Sequence, residues 1–213
     1  MKKVLIVCAL FLLALPFLAR PASAGVTFDL GVKGGLALTK IQFSSDVEDF
    51  YKSIGKPVFG AFFAFNLAPG FAVQPELYYL VQGTKAEKSG EGSTYRMEMD
   101  FAYFHLPVLA KVRFANGAKI RPVVFAGPFV SFLSTAKQKY YADGVLQDES
   151  DVEQYLKSMD FGAAFGGGLE LALDKLLLVL DVRYNLGLMN IDDKSSETTL
   201  KTRGLLVMAG VGF

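Results

Sequence analysis

FHLPVLAKVRF, at residues 104–114, is the segment that decides the fold class. Every second residue in it is apolar, whereas the positions between carry His105, Lys111 and Arg113. A period of two is typical of a β-strand whose two faces meet different surroundings. The same alternation recurs along the chain and predicts eight strands, at residues 26–40, 57–67, 71–83, 97–114, 119–133, 159–173, 175–189 and 201–213.

The links between these strands alternate strictly between short and long. The short links are residues 68–70, residues 115–118 with an Asn-Gly hairpin signal, and Asp174. The long polar links are residues 41–56, 84–96, 134–158 and 190–200. Tight turns at one end and long loops at the other are typical of a membrane barrel. The sequence therefore predicts an all-β fold, a closed eight-stranded antiparallel up-and-down transmembrane β-barrel.

The two faces of each strand indicate which side meets lipid. One face is purely apolar and rich in Phe, and the other mixes charges with glycine, as in residues 160–171. A sheet that spans a membrane must close, and eight strands leave an interior filled by side chains. We expect the polar faces to form a hydrogen-bonded network in the barrel interior, made of Glu76, His105, Lys111, Arg113, Arg121, Asp160, Glu170, Asp181, Arg183 and Asn185.

Two alternatives to this arrangement stay open at this stage. Some of the charges could lie at the rim in water, and the whole chain could be a soluble lipocalin-like barrel. Pro75, Pro107, Pro122 and Pro128 lie within predicted strands and are expected to interrupt the local pairing. The loops contain two capping-box patterns, at residues 45–48 and 150–153, which fit either short helices over the barrel mouth or ordinary polar loops.

The amino terminus predicts secretion. Lys2 and Lys3 precede an apolar run, and residues 22–24 supply a small-x-small cleavage pattern, so residues 1–24 read as a cleaved signal peptide and 25–213 as the barrel domain. Cleavage removes Cys8, the only cysteine, and changes the formal net charge from +1 to −2. This composition supports neither a disulfide nor nucleic-acid binding through bulk charge. The expected location is the outer membrane of a Gram-negative-type cell envelope, with outer-membrane lipids as surroundings.

The last strand alternates Leu205, Val207, Ala209 and Val211 and ends on Phe213. A terminal aromatic residue after such a strand resembles the signal that the barrel assembly machinery reads during biogenesis. The segments GVKGG (31–35), QPELYY (74–79), LPVLAKVRF (106–114), FAGPF (125–129), DFGAAFGGGLEL (160–171) and LDVRYNLGLMNI (180–191) resemble the PorT-like outer-membrane β-barrel family. These "porin family" proteins are common in Bacteroidetes. The resemblance covers the region after the signal and implies an eight-stranded barrel without a catalytic set.

Residue chemistry points away from an enzyme. His105 is the only histidine, with Ser131 as a conceivable neighbour, and the glycines at 162–168 lack the Lys-Ser/Thr of a phosphate loop. We therefore expect no metal site and no cofactor. The first functional interpretation is a structural or surface-interaction barrel whose long extracellular loops contact protein partners. The alternatives are a component of a protein secretion or envelope-assembly apparatus, which rests on the family resemblance, and a narrow low-conductance pore.

Overall fold

The computed structural model describes residues 27–43, 51–90, 92–115, 117–193 and 199–213. The predicted signal peptide, the capping-box pattern at residues 45–48 and Asn116 lie outside the described residues. The strands are β1 Thr27–Phe43, β2 Tyr51–Ala68, β3 Phe71–Gly90, β4 Ser93–Arg113, β5 Ile120–Ala142, β6 Val145–Asp151, β7 Met159–Leu173, β8 Leu176–Gly187 and β9 Leu200–Gly212.

Eight of these strands close into a barrel. Sequential neighbours pair antiparallel around the ring, β5 pairs with β7, and β9 pairs with β1 from Gly31↔Gly212 to Phe43↔Leu200. The predicted closed eight-stranded antiparallel barrel is confirmed. β6 lies outside the ring, because it pairs with the far part of β5 between Lys137 and Ala142. Within the described residues, no helix is long and apolar enough to cross a membrane.

The outward face is a lipid-facing band. Strand alternation turns every second side chain outward, and on β1 this exposes Phe28 (66%) and Leu36 (62%). Eleven residues of strand, such as 104–114, rise about 33 Å along the strand. At a tilt of about 40° this becomes about 25 Å, the height of the apolar band of membrane barrels. The continuous apolar face of each strand therefore points outward, and the soluble-barrel alternative is wrong.

The predicted tight links are present at one end of the barrel. Pro69 and Gly70 connect β2 to β3, and Asp174 and Lys175 connect β7 to β8. At the β4–β5 link, Ala118 N donates to Ala115 O at 3.0 Å, and Gly117 has a φ of 91° that favours glycine. This short-turn end also holds the last residue, where Phe213 N donates to Leu30 O at 2.9 Å and the Phe213 ring is 72% exposed.

The predicted long loops are largely β-structure. β3 continues to Gly90 and β4 begins at Ser93, so the expected loop at 84–96 is a hairpin. The expected loop at 134–158 contains the second half of β5, all of β6 and a 3-10 helix, Glu153–Tyr155. The one-turn helix begins where Asp151 Oδ1 accepts a hydrogen bond from Glu153 N at 2.9 Å, and Ser150 does not cap it.

The four prolines lie in strands, and gaps in the pairing occur beside two of them. The β3–β4 register has no paired residues between Pro75↔Val108 and Tyr78↔His105. The β4–β5 register has a similar gap after Pro107↔Phe129. Proline lacks the backbone N–H that a ladder needs, so interrupted pairing is expected at these positions. The β5–β7 register, by contrast, is continuous past Pro122 and Pro128.

Candidate functional site

The interior of the barrel contains a buried group of charges that we term the ionic core. Its members come from β1, β3, β4, β7 and β8 and point inward because each alternates with lipid-facing residues. They are Lys33, Glu76, Lys111, Arg113, Glu170, Asp181 and Arg183. Their burial means that each charge needs partners of opposite sign and complete hydrogen bonding.

Glu76 is the centre of the first half of the ionic core. Arg183 donates from both terminal nitrogens to Glu76, at 2.5 Å to Oε2 and 3.1 Å to Oε1. Lys33 Nζ donates to Glu76 Oε1 at 3.2 Å and also to Asp181, and Gln74 Nε2 donates to Glu76 Oε1 at 2.5 Å. The four charged side chains are 0% exposed. These bonds join β1, β3 and β8 across the barrel.

Glu170 is the centre of the second half, nearer the short-turn end. Lys111 Nζ lies 2.7 Å from Glu170 Oε1, and Arg113 Nε lies 2.6 Å from Glu170 Oε2. The other end of the Arg113 guanidinium contacts Asp29 Oδ2 at 3.2 Å and donates to Asn66. Arg113 therefore connects β4 to β7, β1 and β2 in a single side chain.

Glycines provide the room that these long side chains need. Lys33 is paired with Gly60 on β2 and with Gly210 on β9, and a Cβ on Gly210 would lie 2.6 Å from Lys33 Cγ. A Cβ on Gly168 would lie 2.8 Å from Asp181 Oδ1. The space beside Gly168 and Gly210 is therefore already filled, as a narrow barrel interior requires.

Aromatic rings contact the cations of the ionic core. Lys33 Nζ lies 4.7 Å and Lys111 Nζ 5.9 Å from the ring centre of Phe62, so two ammonium groups lie over this one ring. The Arg183 guanidinium lies 5.1 Å from the ring centre of Phe125 and 5.6 Å from that of Tyr78. Each contact places a cation near the negative face of a ring, which stabilises it inside the barrel.

His105 forms a separate polar group deeper toward the long-loop end. Its Nδ1 lies 2.8 Å from Ser131 Oγ, and its Nε2 lies 3.1 Å from Asn185 Nδ2. A histidine beside a serine has the residue types of a nucleophile and its base. His105 and Ser131 are 0% exposed, however, so no substrate reaches the hydroxyl. Asp160 is likewise buried and accepts a hydrogen bond from Thr202 Oγ1 at 2.6 Å.

Nine of the ten side chains expected in the interior are buried there, and Arg121 is not. Arg121 lies one residue after the start of β5, at the rim, where its Nε donates to Ala118 O at 3.1 Å. Its cross-strand neighbour Glu170 already bonds Lys111 and Arg113. Lys33, which was not among the expected interior residues, is buried there, whereas Arg121 is not.

Beyond the band, the barrel wall continues on one side as a projecting sheet. It consists of residues 85–90 of β3, 93–100 of β4, 137–142 of β5, and β6. Its outer face carries ion pairs, in which Lys139 and Lys56 contact Asp100 at 3.0 and 2.9 Å. The hydrogen bond that Lys139 donates to Asp100 raises the pKa of the Lys139 ammonium. The inner face, which looks over the barrel mouth, exposes Tyr95 (59%) and Tyr140 (42%).

The sequence matches the model of a known protein family. The family model described as outer membrane protein beta-barrel domain matches residues 21–193. The chain belongs to this family. An outer membrane protein beta-barrel is located in the outer membrane, which agrees with the closed ring and the lipid-facing band. No curated protein matches the chain significantly.

Several solved structures are similar to this outer membrane beta-barrel. Neisserial surface protein A is 13% identical with a TM-score of 0.47, and covers 89% of this chain and 98% of its own. OprG from Pseudomonas aeruginosa is 13% identical with a TM-score of 0.46, and covers 87% and 95%. Ail, the attachment invasion locus protein of Yersinia pestis, is 15% identical with a TM-score of 0.44, and covers 87% and 98%.

The described residues offer little for a metal or cofactor. Among them, no group of three or more His, Cys, Asp or Glu side chains is arranged to hold a metal ion. The carboxylates of the ionic core are instead bonded to arginine and lysine. The interior ion pairs thus join the strands of the barrel wall to one another. The exposed polar groups described above lie on the projecting sheet.

Proposed function

We propose that this protein is a structural and surface-interaction barrel of the outer membrane, whose projecting sheet contacts protein partners on the long-loop side. The observation that carries the proposal is the contrast between a sealed interior and a wall that extends past the membrane. Tyrosines such as Tyr95 and Tyr140 have rigid rings with a polar tip, the type of side chain that is enriched at protein interfaces. The acidic edge strand β6, with Asp148, Glu149 and Asp151, favours a partner with basic residues.

Site-specific photo-crosslinking in the native envelope tests this role. A photoreactive residue at position 95 or 140 is expected to form adducts with a protein partner. The matched control is the same residue at Val124, which is 47% exposed but faces lipid on β5. Protein adducts at 95 or 140 no more abundant than those at 124 would contradict the proposal.

A narrow pore is the second candidate, and the ionic core argues against it. A path for hydrated ions would leave its lining side chains accessible, whereas Lys33, Glu76, Asp181 and Arg183 are 0% exposed. We therefore expect no stable conductance from the purified protein in planar bilayers. Reproducible channel events would favour the pore over the surface-interaction role.

A secretion or envelope-assembly role follows from the resemblance to PorT-like barrels, and we propose that the chain belongs to that group. The segments that carry the resemblance are the strands that build the ionic core. GVKGG holds Lys33, and LDVRYN holds Asp181, Arg183 and Asn185. The identity of the crosslinked partner decides this point, since a secretion component at positions 95 or 140 would support it.

A further inference from the structure

β6 is the terminal strand of the projecting sheet and has one free edge. One edge of β6 pairs with β5, and within the described residues no strand pairs with the other edge. All seven residues of the strand, Val145–Asp151, are exposed. The free edge lies beyond the lipid-facing band on the long-loop side, so it is accessible to other proteins.

The register shows which backbone groups point to this edge. Val152 N donates to Ala136 O at 3.0 Å, in line with the ladder between β5 and β6. Because bonded and non-bonded positions alternate in an antiparallel pair, Ser150 bonds to β5. Glu149 and Asp151 on either side of it direct their N–H and C=O groups away from β5. In the described part of the chain these four backbone groups have no hydrogen-bond partner.

The charge of this edge determines which strand can pair with it. Residues 143–153 contain five carboxylates and no basic residue. Among the five, only Glu149 forms an ion pair within the described residues, with Lys137. A second copy of β6 would place carboxylates opposite carboxylates, which destabilises a strand pair. A strand that carries lysine or arginine is instead attracted to the edge.

We propose that β6 binds an extended, basic segment of a protein partner by strand addition. The backbone of the segment bonds to Glu149 and Asp151, and its basic side chains lie among the carboxylates. In this mode of recognition main-chain hydrogen bonds provide affinity and side chains provide specificity. The inference rests on the proposed function, because it specifies how a partner of the projecting sheet is held.

Amide hydrogen exchange, measured by NMR on the folded protein in phosphatidylcholine nanodiscs, tests the free edge directly. The probe is a seven-residue peptide in which lysine alternates with valine, and the control peptide has glutamate in place of lysine. The lysine peptide is expected to slow exchange at Glu149 and Asp151, whereas Ser150 is protected by β5 without any peptide. Unchanged exchange at Glu149 and Asp151, or equal slowing by the glutamate peptide, would overturn the proposal.

Two substitutions at position 149 separate the charge from the backbone pairing. Glu149→Gln removes the carboxylate and keeps the N–H, and Glu149→Pro removes both. Proline is tolerated on an edge strand where the N–H faces solvent, and a heat-shift gel verifies that each variant is folded. In fluorescence polarisation, Glu149→Pro is expected to bind the labelled lysine peptide about fivefold more weakly than Glu149→Gln, because one backbone hydrogen bond is lost. Equal affinities of the two variants would refute strand addition.

Photo-crosslinking at position 140 distinguishes this inference from the proposed function. Protein adducts that Glu149→Gln keeps and Glu149→Pro loses would support both. Adducts that are equally abundant in the wild type and in Glu149→Pro would leave the proposed function intact and overturn strand addition. Adducts no more abundant than at the lipid-facing Val124 would contradict the proposed function itself, on which the inference rests.

Discussion

Removal of the Arg183 guanidinium is the most direct perturbation of the ionic core. Arg183→Ala deletes two charge-assisted hydrogen bonds to Glu76, at 2.5 and 3.1 Å, and two ring contacts, with Tyr78 and Phe125. Hydrogen bonds to charged groups contribute about 1.5–3 kcal/mol each, and breaking a buried pair typically costs about 3–5 kcal/mol. Lys33 stays bonded to Glu76, so the expected loss in unfolding free energy is at the lower end, about 3 kcal/mol.

Urea unfolding in lipid vesicles measures this loss, with far-ultraviolet circular dichroism and gel mobility as readouts, because the chain has no tryptophan. The matched control is Lys137→Ala. Lys137 also pairs with a carboxylate, that of Glu149, but its side chain is 47% exposed. Exposed pairs contribute about 0–1 kcal/mol, so this variant should unfold nearly as the wild type does. Equal losses for Arg183→Ala and Lys137→Ala would refute the view that the buried charges hold the wall together.

Five further variants can be measured in the same unfolding assay. Gly35→Ala should lower the free energy of unfolding by about 1–3 kcal/mol, because its Cβ would lie 1.9 Å from Val207 O. Gly34→Ala is the control and should change stability little, since the nearest atom to its Cβ lies at 3.7 Å. Similar losses at both positions would argue against tight interior packing. Arg113→Ala should cost about 3 kcal/mol because it leaves the buried Glu170 with Lys111 alone. Arg121→Ala at the rim should cost under about 1 kcal/mol, and the reverse ranking would contradict the placement of the two arginines. Phe62→Ala should cost about 3–5 kcal/mol, because it removes a buried ring that contacts the Lys33 and Lys111 ammonium groups, and a loss below about 1 kcal/mol would mean that the ring fills no essential space.

Period-two alternation was sufficient to predict the barrel within the membrane but not beyond it. The boundaries of β7 were predicted as observed, because its outward face stays apolar from end to end. β3 and β4 instead run past the band into water, where Lys85, Glu87 and Arg96 replace apolar residues on the outward face. A strand with two polar faces carries no alternation of hydrophobicity, so residues 84–96 resembled a loop. On β5, the register shift opposite Ala102 and Tyr103 leaves Ser134 without a partner on β4, so the buried positions change from odd-numbered to even-numbered residues, from Leu133 to Ala136.

The interior charges could be predicted wherever a clear apolar face fixed the parity. Asp181 and Arg183 alternate with large aliphatic residues, which indicates at once that they point inward. Lys33 lies between Val32 and two glycines, and the glycines hide the alternation. The even-numbered residues Val32, Leu36 and Leu38 form the apolar outward face of β1, so the odd-numbered Lys33 is expected to point inward. The alternation along β5 predicts that Arg121 points inward. Because it lies at the end of the strand, its long side chain instead reaches the carbonyl oxygen of Ala118 in the adjacent turn.

The sequence separation within the ionic core has a consequence for how the protein enters the membrane. Lys33 and Asp181, which bond each other, are 148 residues apart and belong to strands near opposite ends of the barrel domain. Until the first and last hairpins meet, these two charges lack each other, although Lys33 can bond Glu76 and Asp181 lies 3.7 Å from Arg183 on its own strand. A half-formed sheet inserted in the bilayer would present an incompletely paired ionic core to hydrocarbon at a cost of several kcal/mol. Ring closure and membrane insertion must therefore happen together, and the same charges that stabilise the finished barrel disfavour the insertion of an open one.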